Sequence, residues 1–291
     1  ELFMQNINNY INKVIFGNCI ELMRNIPNES INMCLCDPPF FINYQNRDWD
    51  KTDCFVTSTG EWLEQVFRVL KPNGTLWSFM GYKQVFKFVP LLNKYGTCHL
   101  ENWIIAAHAK GRGASKHCKS LREDIFHTTK HPKKYIWNPI QTLREVIAPY
   151  VKNGRPRGWF LLDLPDENGE IVKHRVRWTG LGNIWNYSWP QHNSICEKQI
   201  HSCQKPLMML ERMIRLSSNE GDLILDPFMG SFSTALACKI SNRNYIGFEN
   251  NEEYYKMGEK RLKDFDITKF VEYNKTMDKL LKETKNNIRK V

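Results

Sequence analysis

Leu225-Asp226-Pro227-Phe228-Met229-Gly230-Ser231 carries an apolar strand, Leu223-Ile224-Leu225, into a turn of small residues, and the helical pattern of Ser233–Ile240 follows it. A further strand, Tyr245–Phe248, ends at Glu249, roughly twenty residues beyond the turn. This is the plan of a nucleoside-binding α/β unit. The glycine permits close backbone approach, the N–H groups of the turn face a carboxylate or phosphate, and the distant acid accepts bonds from ribose hydroxyls. The three glycines of a dinucleotide fingerprint are missing, so the pairing of the Asp226 turn with Glu249 carries the reading.

A second stretch ends a strand in the same way. In Cys34-Leu35-Cys36-Asp37-Pro38-Pro39-Phe40-Phe41 the strand Ile31–Cys36 stops at an acid followed by two prolines. Proline fixes its own φ and pushes the preceding residue towards extended backbone, so Asp37 is held at the strand end with Phe40 just beyond it. Around this stretch the spacing predicts a strand at Lys13–Phe16, a helix through Cys19–Asn25 and a helix over Glu61–Leu70. Lys71-Pro72-Asn73-Gly74 stops that helix, and Thr75–Met80 reads as another strand. Alternating strands and helices predict an α/β fold with a parallel sheet. His99–His108 and Asp124–Thr128 are further strands, Pro206–Leu216 is an amphipathic helix, and the Lys- and Glu-rich tail from Asn251 is a solvated helix.

Lys and Arg total 41 against 31 Asp and Glu, a net charge of +10, which favours a polyanionic partner, nucleic acid before an anionic membrane surface. No apolar run is long enough to span a bilayer and no signal pattern stands at the N-terminus, so a cytoplasmic protein is expected. The nine cysteines contain no C-x-x-C pair and read as reduced, packed thiols. His192, Cys196, His201 and Cys203 match no common zinc spacing, and no metal is expected. From 129 to 198 prolines, aromatics and cations interleave, as in Lys130-His131-Pro132-Lys133-Lys134-Tyr135 and Arg155-Pro156-Arg157-Gly158-Trp159. Such a segment is either an irregular solvated insertion or a surface that meets phosphates with cations and bases with aromatic planes.

Taken together, these motifs resemble the S-adenosylmethionine-dependent amino-group DNA methyltransferases in their β arrangement. The order is Asp37-Pro38-Pro39-Phe40, the 129–198 segment, Gln204-Lys205-Pro206, and then the Asp226–Ser231 turn. Gly17-Asn18-Cys19, Trp49-Asp50, Asn183-Ile184-Trp185-Asn186 and Asn242–Glu249 extend the likeness over nearly all of 13–262 outside the insertion. The resemblance implies a circularly permuted Rossmann-like sheet with helices on both faces and an inserted target-recognition region. It divides the chain into a catalytic half (4–128), the insertion (129–198), a cofactor half (199–262) and a basic helical tail (263–291).

It also implies site roles. Asp37, Pro38, Pro39 and Phe40 would form the catalytic block, with Asp37 also bordering the cofactor. Asp226, Phe228, Gly230 and Ser231 would cradle the methionine part of S-adenosylmethionine, and Lys205 would neutralise its carboxylate. Glu249 would hold the ribose, with Asn18 and Cys19 near the adenine. Lys133, Lys134, Arg155, Arg157, Arg175 and Arg177 are candidate DNA contacts. The motif begins with Asp, which favours adenine N6 as target over cytosine N4. The family pattern also implies a homodimer, while whether a cognate restriction endonuclease accompanies the chain is a matter of genomic neighbourhood. Two positions depart from it: Phe232 replaces a glycine and Asn18 stands where an acid is common. If Phe232 distorts the turn, cofactor binding weakens, and an inactive DNA-binding scaffold is then the competing reading.

Overall fold

The computed structural model describes residues 7–41, 55–95, 99–107, 121–138, 159–165, 171–177, 182–186 and 203–268. In chain order the strands are β1 (Lys13–Phe16), β2 (Ile31–Cys36), β3 (Leu70–Met80), β4 (His99–Ala107), β5 (Arg122–Thr129), β6 (Trp159–Pro165), β7 (Ile171–Arg177), β8 (Ile184–Asn186), β9 (Leu223–Asp226) and β10 (Asn244–Glu249). The helices are α1 (Cys19–Met23), α2 (Phe55–Val69), α3 (Val85–Tyr95), α4 (Leu207–Ser217), α5 (Ser233–Ile240) and α6 (Glu252–Asp264).

Eight strands form one sheet in the order β1-β10-β9-β2-β3-β5-β4-β8, and β6 and β7 form a separate antiparallel ribbon. The run from β1 through β3 is parallel throughout, as the sequence predicts. β5 lies antiparallel to both β3 and β4, which makes the sheet mixed, because β5 starts beside the end of β4 with Arg122 opposite Ala107. Apolar residues on both sides of the central strands require cover on both faces. One core gathers Met23, Trp62, Phe88 and Phe126 under α1, α2 and α3. The other gathers Trp77, Leu210, Met213 and Phe232 under α4 and α5.

Two local differences from the sequence reading have clear causes. Lys71–Gly74 is a bulge within β3: Leu70 pairs with Ile31, and the next pairs are Thr75 with Met33 and Leu76 with Cys34. Pro72 cannot donate to a ladder, which confines it to such an irregularity. α3 has no counterpart in the sequence reading, since Pro90 interrupts its helical pattern, but Val85, Phe88, Leu91 and Leu92 bury one continuous face.

The described ends of the 129–198 segment belong to the main sheet. Thr129 closes β5, and the Lys130 amide and ammonium donate to the carbonyls of Gly74 (3.2 Å) and Leu70 (2.7 Å). Trp137 stacks on His127 at 5.4 Å, which stacks on Trp77 at 4.3 Å, and burial pushes the His127 pKa down to about 3, so the column is uncharged. β8 then pairs parallel with β4.

Phe232 sits at the N-cap of α5 in left-handed backbone, φ 61° and ψ 24°, where glycine is the default residue. Its ring is fully buried and fills a notch over Gly258 of α6, edge-on to Tyr255 at 5.9 Å between centroids. A Cβ at Gly258 would lie 2.2 Å from that ring. Packing therefore holds a conformation that a bulky residue adopts only at a cost of order 1–3 kcal/mol. Gly258→Ala should lower stability in urea by about 1–3 kcal/mol, although alanine is worth about 1 kcal/mol more than glycine inside a helix. Phe232→Leu in the same chain should recover part of the loss. A neutral or stabilising Gly258→Ala would show that the ring is not confined there.

Candidate functional site

Because β1, β10, β9 and β2 are parallel, their carboxyl ends share one edge of the sheet. Glu249 ends β10, Asp226 ends β9, Asp37 follows β2, and Asn18 follows β1. From β2 the chain crosses by α2 outward to β3, whereas from β9 it crosses by α5 the opposite way to β10. The reversal falls between β2 and β9, and α/β sheets bind ligands in the crevice outside the carboxyl ends at such a point. Asp37 and Asp226 stand on its two sides.

Asp37 is gripped by one oxygen. Its Oδ2 lies 2.7 Å from the Lys205 ammonium, which also reaches Glu123 at 3.8 Å and lies 4.9 Å over the Phe79 ring. Its Oδ1 is buried and has no hydrogen-bond partner among the described residues. Burial raises the Asp37 pKa, the Lys205 cation pulls it back and Glu123 adds to the rise. Burial opposes the charge on Lys205, but Asp37 and Glu123 outweigh it and hold the ammonium protonated. The loop beyond Asp37 is fixed from the turn that follows β3: Gln84 Nε2 donates to the Phe40 carbonyl at 2.9 Å, and the Phe40 ring lies where a Cβ on Gly81 would stand only 2.9 Å away. Phe41 follows in left-handed backbone at φ 53°, packed edge-on to Phe55 at 6.0 Å.

The second loop is built by its own acids. Asp226 Oδ1 accepts from the Phe228 amide at 2.9 Å and the carboxylate also takes a bond from Thr234. Glu249 Oε2 accepts from Gly230 N at 2.7 Å and Oε1 from Asn251 N at 2.8 Å, which staples the turn to β10. Burial pushes Asp226 up to about 7, the nearby Asp37 and Glu249 adding to it, and burial also raises Glu249 against its backbone donors. Asn18 caps α1, its Oδ1 accepting from Ile20 N at 2.9 Å and Glu21 N at 3.4 Å, so its side-chain –NH2 remains to meet a ligand. Cys19 is a neutral thiol, burial pushing its pKa to about 12.

These residues fit S-adenosylmethionine. A Cβ at Gly230, where φ is 50°, would meet only the Phe228 carbonyl at 3.9 Å, so the turn leaves room at its backbone. The carboxylates of Asp37, Asp226 and Glu249 suit a sulfonium and an ammonium. Phe232, expected to disturb the turn, does not enter it: the backbone takes the glycine-like conformation and the ring packs into α6.

The structure brings together Asp37, Pro38, Pro39, Phe40, Lys205, Asp226, Phe228, Gly230, Ser231, Glu249, Asn18 and Cys19 along one edge. It places Lys133 and Lys134 at the opposite edge, just past the end of β5, which pairs there with the start of the regular part of β3. Arg175 and Arg177 lie in β7. Arg155, Arg157, His192, Cys196 and His201 lie outside the described residues. Glu123, Gln84 and Arg261 escaped the sequence reading. Arg261 Nη1 donates to Ser231 O (2.7 Å), Ser231 Oγ (3.2 Å) and Ser233 Oγ (2.7 Å), clamping the turn from α6. None lies in a local motif; only the strand-end position of Glu123 carried a signal.

Known proteins resemble this chain over most of its length. A family model described as DNA methylase matches residues 31–260. The type II methyltransferase M.HpaI of Haemophilus parainfluenzae is 32% identical over 258 residues, covering 86% of this chain and 74% of its own. The DNA adenine methyltransferase YhdJ of Escherichia coli (strain K12) is 32% identical over 254 residues, covering 86% of this chain and 82% of its own. Among solved structures, the cytosine-N4-specific PvuII DNA methyltransferase shares the fold with a TM-score of 0.64 at 17% identity, over 89% of this chain and 90% of that one. The chain belongs to the DNA methylase family of amino-group methyltransferases, which take their methyl group from S-adenosylmethionine.

Proposed function

We propose that the chain methylates adenine N6 in DNA, with Asp37 as the acceptor that orients the target amine. The observation that supports this most directly is the buried, unpartnered Asp37 Oδ1 beside an Oδ2 held by Lys205. An exocyclic amine is a poor nucleophile because its lone pair is delocalised into the ring. Hydrogen bonds from that amine to Asp37 Oδ1 and to the Pro38 carbonyl turn its lone pair outward and stabilise the positive charge that grows on nitrogen. Bound S-adenosylmethionine supplies a methyl group already activated by its sulfonium. The protein therefore has to position and stabilise rather than form a covalent intermediate. Phe40 offers a π-face to a base taken out of the stack. Gly230, Ser231, Asp226 and Phe228 cradle the methionine part, and Glu249 takes the ribose with the lone pairs its backbone bonds leave over.

Lys205, expected to neutralise the cofactor's carboxylate, is assigned here chiefly to Asp37, the group it contacts. Adenine is favoured by Asp at the head of the motif and by the relative named as a DNA adenine methyltransferase. The DNA strand beyond the target falls to the basic 129–198 segment, including Arg155, Arg157, Arg175 and Arg177. Lys133 and Lys134, a strand length of roughly 20 Å from the crevice, suit flanking phosphates. A homodimer and a restriction endonuclease partner belong to the same proposal, the first read by light scattering and the second by genomic neighbourhood.

Incubation with S-adenosylmethionine and mixed-sequence DNA, followed by nucleoside mass spectrometry, tests the reading. N6-methyladenine is the expected product, and N4-methylcytosine would overturn the base assignment. Asp37→Asn should lower turnover at saturating cofactor by at least about 100-fold, the scale of losing one aimed group in a dry site, a loss larger than any change in cofactor affinity by calorimetry. A variant that kept full turnover would remove Asp37 from the mechanism. The pH dependence has a definite sign. Asp37 acts as a carboxylate and its pKa is raised, so the rate should fall with acid above the ordinary carboxylate range. Lys205 lowers that pKa, so Lys205→Met should move the acid limb to still higher pH; a limb that stayed put or moved down would separate the two residues functionally.

A further inference from the structure

We infer that Tyr82, Lys83, Phe86 and Lys87 form a DNA-docking surface beside the target-base pocket, an inference that rests on the DNA methylation reading above. The segment leaves the carboxyl end of β3 and enters α3 directly. It is bound to the catalytic loop twice: Gln84 donates to the Phe40 carbonyl at 2.9 Å, and the Phe40 ring abuts Gly81. Any surface on this turn is therefore fixed relative to Asp37-Pro38-Pro39-Phe40.

Its inner side is spent on the core, with Gln84, Val85 and Phe88 buried. Its outer side has no partner among the described residues. Phe86 is 89% exposed and Tyr82 46% exposed, with Lys83 and Lys87 exposed beside them. Tyr82 and Phe86, like Lys83 and Lys87, are four residues apart, the first of each pair in the exposed turn and the second in the first turn of α3. Isolated exposed apolar residues are common, but two aromatics flanked by cations at a catalytic mouth are a recognisable chemistry. Aromatic planes take unstacked bases and lysines take phosphates.

Charge selects DNA over a second copy of the chain. From Gly81 to Tyr95 the sequence holds Lys83, Lys87 and Lys94 and no acid. A twofold contact on this face would set these lysines against their own copies with nothing to neutralise them. A polyanion whose neighbouring bases are disturbed by removal of the target matches both the cations and the rings.

The test compares wild type with Tyr82→Ala/Phe86→Ala and with Lys83→Gln/Lys87→Gln. Duplex affinity is followed by fluorescence anisotropy across a salt series, cofactor affinity by calorimetry, and mass by sedimentation. The aromatic pair should cost about tenfold or more in DNA affinity with an unchanged salt slope. The lysine pair should lower the slope of log affinity against log salt by roughly two, about 0.9 for each phosphate that is no longer neutralised. Cofactor affinity and mass should stay constant in both. Unchanged DNA affinity and slope would overturn the proposal, as would a fall in mass from dimer to monomer, which would make the face a subunit interface. Wild-type protein that binds DNA without methylating it would remove the functional reading, and the same DNA comparison would still decide the face.

Discussion

The site depends on placing Asp37, Asp226 and Glu249 together at the ends of adjacent parallel strands. Each carboxylate there is desolvated, which opposes its charged form, and a neighbouring acid adds to this at two of them: Glu123 at Asp37, and Asp37 with Glu249 at Asp226. The fold answers each acid differently: an ammonium for Asp37, the Phe228 amide and the Thr234 hydroxyl for Asp226, and backbone amides for Glu249. At Asp226 these bonds leave the pKa raised to about 7. Its proton is held more tightly in the folded chain than in the unfolded one, so this group favours the fold at low pH and ceases to as pH rises through about 7. A cation entering the crevice relieves the same repulsion. On the proposed reading, the electrostatics that burden this edge are the ones that suit a sulfonium ligand.

Support for the cofactor turn comes from outside it. α6 grips Ser231 and Ser233 through Arg261 and receives the Phe232 ring over Gly258, while Tyr255 reaches back to the Val14 carbonyl of β1 at 3.3 Å. A glycine in the turn would have the same backbone without strain, but it would lack this anchor. The replacement converts a conformational freedom into a packing contact, and the left-handed backbone is retained because the notch in α6 determines where the ring goes.

The strands of the main sheet apart from β8, the two acid-ended loops and the helices α4 and α5 were legible because their signals are local: apolar runs, prolines after an acid, a small-residue turn before a helix. β6, β7 and β8 lie in the 129–198 segment, where no strand pattern is legible. Glu123 and Gln84 were not legible either, because each reaches a site residue distant in sequence. The bulge at Lys71–Gly74 read as a turn because proline and glycine mark both, and only the pairing of Ile31 and Met33 with β3 distinguishes them. Phe232 was legible as a departure but not in its consequence, since nothing in the turn reports that Gly258 leaves it room. Lys133 and Lys134 show the limit of composition. Their charge is plain in the sequence, but the antiparallel course of β5 carries them to the far edge.

The two loops are also joined beneath the crevice. Phe228, in the cofactor turn, meets Trp62 edge-on at 5.6 Å, and Trp62 stacks on Phe88 of α3 at 6.3 Å. α3 follows the turn whose Gln84 holds Phe40. One aromatic column of α2 and α3 thus lies under both the Asp226–Ser231 turn and the Asp37–Phe40 loop, the segments proposed to hold the methyl donor and the target base. Close packing transmits displacement, because a dense interior has few voids to absorb it. In-line transfer requires donor and acceptor to be placed within a fraction of an ångström, a tolerance that mobile loops on separate supports would not hold. Seating both loops on the same buried rings fixes their separation through the core, and the strand ends then need only set direction.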